Sequence, residues 1–64
     1  MKKIEVGQLV TVYNQTLDGA PIVEGDATVK EILEDMGNGF FACRVEFVTQ
    51  PSELFFRWID ADEQ

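Results

Sequence analysis

The stretch Asp26-Ala27-Thr28-Val29-Lys30-Glu31-Ile32-Leu33-Glu34-Asp35-Met36-Gly37, closed by Asn38-Gly39, decides the fold, because two periodicities fit it. Read as a helix, it has Asp26 as N-cap, Val29, Ile32, Leu33 and Met36 as an i, i+3, i+4, i+7 stripe, and Gly37 at the C′ position. Read as a strand, it points Ala27 and Val29 inward, a bulge near Lys30-Glu31 shifts the phase, and Ile32 or Leu33 resumes it. Local propensity favours the helix. The Asn38-Gly39 pair opposes it, because this dipeptide is the strongest short hairpin signal and asks for a strand on both of its sides.

Downstream of that turn, Phe41, Cys43, Val45 and Phe47 alternate with Arg44 and Glu46, the period of a strand with one buried face. After a break at Pro51, Leu54, Phe56 and Trp58 fall on one face of a second strand, and Phe55 and Ile59 flank Arg57 on the other. Pairing Arg57 with either Arg44 or Glu46 sets Val45 and Phe47 on the face of Phe56 and Trp58. The Glu46 register is preferred, since opposite charges stabilise a cross-strand pair; the Arg44 register would instead offer two arginines to a carboxylate or phosphate. This hairpin holds six of the seven aromatics. Its outer face then carries Phe40, Val48, Phe55 and Ile59, more apolar surface than one core needs, to be covered by barrel closure, a second copy or another protein.

Upstream, residues 7–13 read as the first strand, with Val10 and Val12 inward. Residues 14–26, with Asp18-Gly19, Pro21 and Gly25, read as a long loop tacked down by Ile22 and Val23.

Sixty-four residues make a single domain, with an ordered part of residues 4–60 and a frayed tail at 61–64. One cysteine excludes an intrachain disulfide, and the absence of histidine excludes the common zinc sites, a Ser-His-Asp triad and a Cys-His pair. Cys43 belongs to the core. Neither Asp60, Asp62 and Glu63 nor Glu31, Glu34 and Asp35 have the spacing of a cation loop or an acid/base pair, so no metal, cofactor or catalytic residue is expected. No segment approaches a membrane span, so the chain is expected to be cytoplasmic. Twelve acidic residues against five basic ones, a net charge of −7, repel phosphate backbones and anionic membranes.

The order of residues 7–13, 24–29 (Glu24-Gly25-Asp26-Ala27-Thr28-Val29), 43–47 (Cys43-Arg44-Val45-Glu46-Phe47) and 56–59 (Phe56-Arg57-Trp58-Ile59) resembles small SH3-like β-barrel proteins. The resemblance covers roughly residues 6 to 60. It implies an all-β, partly open barrel of about five strands. The alternative from the residues alone is an α+β fold with a helix at 27–36 on a three-stranded antiparallel sheet. SH3-like barrels often serve as interaction modules, and small acidic chains of this kind are similar to proteins borne by phages or mobile gene cassettes.

The expected function is therefore a non-enzymatic protein-binding or adaptor module, or a self-associating one, that uses Phe40, Arg44, Phe55, Arg57 and Ile59 on the outer face of the C-terminal hairpin, joined by Tyr13 of the first strand where that ring is exposed. An alternative is an acidic inhibitor that mimics nucleic acid, presenting Asp18, Glu24, Asp26, Glu31, Glu34 and Asp35 to a basic cleft. Direct nucleic-acid binding through Tyr13, Phe40 and the two arginines is opposed by the net charge.

Overall fold

The computed structural model describes residues 3–15, 18, 19 and 21–64. Four strands, β1 (Leu9–Gln15), β2 (Pro21–Asp35), β3 (Phe40–Phe47) and β4 (Phe55–Asp60), follow one another as an antiparallel meander in the order β1-β2-β3-β4. The sheet curls into a half-barrel, and the one helical element among the described residues is a 3-10 turn, Ala61–Glu63. The all-β expectation holds, with four strands among the described residues where about five were expected. No helix among the described residues is long and apolar enough to cross a membrane.

The ambiguous stretch is strand, because β2 is shared. Its first half pairs with β1, from Gln15↔Pro21 to Leu9↔Thr28, and its second half pairs with β3, from Ala27↔Phe47 to Asp35↔Phe41. A helix at 27–36 would leave the ladder groups of β3 unpaired, a cost that outweighs a few tenths of a kcal/mol per residue of helix propensity. Register shifts between Val29 and Glu31 and between Ile32 and Glu34 explain the misleading spacing. A bulged strand reaches its inner face at Ala27, Val29 and then Ile32, so the apolar intervals lengthen to imitate a helical stripe. The rest of the stripe does not reach the core: Leu33 and Met36 are exposed.

The expected loop at 14–26 is mostly strand, with Tyr13 opposite Val23 and Asn14 opposite Ile22; its residues 16, 17 and 20 lie outside the described ones. Ile22 and Val23 are exposed rather than tacked down. Between β2 and β3 the chain reverses through Asn38-Gly39. Gly39, at φ +92, adopts a conformation that side chains rarely take, and a Cβ there would meet the Asp62 carboxylate at 3.1 Å.

Val10 and Val12 of β1, Ala27 and Val29 of β2, and Phe41, Cys43, Val45 and Phe47 of β3 fill the concave side. Ile4 joins them from the N-terminal segment, where the Gly7 N–H donates to Val29 O (2.7 Å) and the Val29 N–H to Gln8 O (2.9 Å).

The hairpin register corrects the sequence reading. Cys43, not Arg44 or Glu46, lies opposite Arg57, and Phe41 lies opposite Ile59. A one-residue slip turns every side chain of a strand over. Ile59, expected on the outer face, is therefore core at 1 % exposure, while Phe56 and Trp58, expected inside, are half exposed. Residues 61–64, expected to fray, are docked. The Asp60 carboxylate accepts from the Asp62 N–H (2.9 Å), the Ala61 N–H donates to Gly39 O (2.8 Å), and Ala61 is buried.

Candidate functional site

The meander leaves β1 and β4 as the two edges of the half-barrel, and they approach each other across a seam. At one end a single side chain closes it. The Gln64 amide oxygen accepts from the Thr11 N–H (2.8 Å), and its nitrogen donates to Thr11 O (3.0 Å) and Asp60 O (3.2 Å). One amide thus stands where a rung between β1 and β4 would be. Beyond it the seam widens into an open groove of about 470 Å³, lined by Thr11, Tyr13 and Asn14 of β1, Phe40 of β3, Trp58 and Asp60 of β4, and Glu63. Phe40 and Trp58 expose large parts of their rings, and Phe56 meets Trp58 edge to face (centroids 5.5 Å apart, 87°).

A second cluster closes the concave mouth. Arg57 Nε and Nη2 donate to the two carboxylate oxygens of Glu24 (2.9 and 2.7 Å), joining β4 to β2 over the intervening β3. The guanidinium lies 5.5 Å from the Phe47 ring centroid and 5.4 Å from that of Phe55, which itself meets Phe47 edge to face. The Arg57 guanidinium, first by its hydrogen bond, holds the Glu24 carboxyl below its ordinary range, and Glu24 holds Arg57 more firmly protonated. The residues here read as a saturated ion pair capping aromatic core, with little left to offer a ligand.

The six residues predicted from the sequence therefore do not form one surface. Tyr13 and Phe40 meet in the seam groove. Phe55 and Arg57 belong to the cap, Arg44 is drawn to Glu31 (3.2 Å) on the opposite face from Arg57, and Ile59 is core. The paired-arginine anion site does not exist, because Arg44 lies opposite Phe56. Trp58, Asp60 and Glu63 were missed. Trp58 was hidden by the wrong register; the signal for the right one was the series Phe55, Ile59 and Ala61, masked by an arginine in its middle.

The acidic residues nominated for mimicry are largely engaged within the fold. Glu24 holds Arg57, Glu31 holds Arg44, Asp26 accepts from the Thr11 hydroxyl (3.1 Å) and Asp35 from the Gly37 N–H (2.9 Å). Among the described residues no group of three or more acidic or cysteine side chains could hold a metal ion. Cys43 is fully buried, and burial pushes its thiol up, away from the reactive thiolate.

No family model matches this chain, and no curated protein or solved structure does. Its own surface is what bears on function.

Proposed function

We propose that the chain is a non-enzymatic protein-binding module built on a small barrel of the SH3-like kind, and that it engages its partner through the seam groove and the adjoining face of β4. The observation that carries this reading is the convergence of Tyr13, Phe40 and Trp58, from three strands, on one open groove. Aromatic side chains bring large contact area at little entropic cost and are the types that dominate interface energy. Partly exposed aromatics gathered around a groove contribute little to the fold, so packing alone does not account for their placement.

The nucleic-acid mimic is the weaker reading, since at least four of its six carboxylates already serve internal partners. The test compares tagged wild-type chain with Trp58→Ala and Phe40→Ala in a pull-down at low and high salt, after thermal melts show that the variants are folded. Partners retained by the wild type and lost by both variants are the expected result. Retention that ignores both substitutions yet collapses with salt would favour the mimic.

A further inference from the structure

The seam groove has a chemical polarity as well as a shape. Its aromatic walls, Tyr13, Phe40 and Trp58, are accompanied by two carboxylates, Glu63 and Asp60, the latter also accepting from the Asp62 N–H, and among the described residues no lysine or arginine lines it. The basic side chains nearest in the sheet are spent elsewhere: Lys30 on Glu46, Arg44 on Glu31, Arg57 on Glu24. Negative ring faces beside carboxylates attract a cation that carries apolar stem with it, the build of a lysine or arginine side chain.

The backbone adds a direction. Ala61 bonds to Gly39 across the β3–β4 ladder, and antiparallel pairing alternates, so Phe56, Trp58 and Asp60 turn their backbone groups away from β3 to the open edge. Phe56 O is taken by Arg57 Nη1 (2.7 Å) and Asp60 O by Gln64. Between these two capped points the Trp58 N–H and C=O face outward beside the groove, the position at which an extended chain adds to a sheet edge.

We infer that the groove takes a lysine or arginine side chain from an extended basic segment of another protein, laid along the β4 edge at Trp58. This rests on the protein-binding reading above and names the class of partner. A second copy of this chain is the poorer occupant, because it would bring its own net charge of −7 against the same carboxylates.

Trp58 is the sole tryptophan, so its fluorescence reports the groove directly. The probes are a short peptide of alternating lysine and valine and the same peptide with every lysine acetylated, which keeps the shape and removes the charge. The expected result is binding of the basic peptide, weakened about tenfold by acetylation, by Asp60→Asn with Glu63→Gln, and by Phe40→Ala followed calorimetrically. Equal affinity for both peptides would overturn the cation while leaving a protein-binding groove. Binding of the basic peptide that ignores Phe40→Ala and Tyr13→Ala would also overturn it, as attraction by diffuse charge alone. If neither peptide disturbs Trp58, the inference falls; the protein-binding reading falls with it only if the pull-down is also indifferent to Trp58→Ala.

Discussion

Ile59 and its neighbour Trp58 show how much hangs on one step of register. Their side chains occupy opposite faces of β4, Ile59 sealed in the core and Trp58 half in solvent. Truncating Ile59 to alanine removes buried methylenes and leaves a cavity, so a loss of about 2–4 kcal/mol is expected in urea denaturation, against about 1 kcal/mol or less for Trp58→Ala. The reverse ranking would restore the register in which Phe56 and Trp58 face the core. Alternation along β3 was legible because its polar partners, Arg44 and Glu46, are both truly outward. Along β4 it was not, since Arg57 sits in the inward series and reaches the rim to meet Glu24. That ion pair carries a pH signature. Glu24 is held below its ordinary 4.5, so the native state favours the ionised carboxyl; the stabilisation is present at neutral pH and is lost as pH falls through the lowered native range. Glu24→Gln should cost about 0.5–1 kcal/mol at pH 7, a modest figure because both side chains remain partly in water, and the difference from wild type should vanish in acid denaturation curves below that range.

At the scale of elements, β2 and the seam depart most from a local reading of the chain. Two bulges give β2 the apolar intervals of a helix, and residues 26–37 by themselves favour that helix; the pairing demands of β1 and β3 decide for the strand. The groove was half legible. Tyr13 and Phe40 are both among the residues expected at a partner surface, but their meeting with Trp58 depends on how far the sheet curls, which no short-range pattern encodes. The curl is finished by Gln64, whose amide bridges Thr11 and Asp60. Gln64→Ala should leave the four strands intact and free the Thr11 amide. Hydrogen exchange followed by NMR is expected to quicken at Thr11, with β2–β3 amides unchanged; a global acceleration would instead make Gln64 part of the cooperative core.

The whole molecule carries one thiol, and it lies where the core is driest. Cys43 is inaccessible and its thiol is pushed up by burial, so a thiol reagent can reach it only through opening of the β2–β3–β4 core. Labelling in native buffer is expected to be slow and to accelerate with urea along the global unfolding curve. Fast labelling independent of urea would mean that the half-barrel opens locally, without global unfolding. The seam is also where the protein is chemically mortal. Hydrolysis of the Gln64 side chain releases ammonia and exchanges an NH2 for an OH, a change of one mass unit, and the acid so formed ionises, turning a group with two donors and an acceptor into one that only accepts. The Thr11 N–H would keep its partner, while Thr11 O and Asp60 O would each confront a carboxylate. An ageing sample would thus accumulate molecules with an unlatched edge and an added negative charge beside the groove, separable by ion exchange from those still closed.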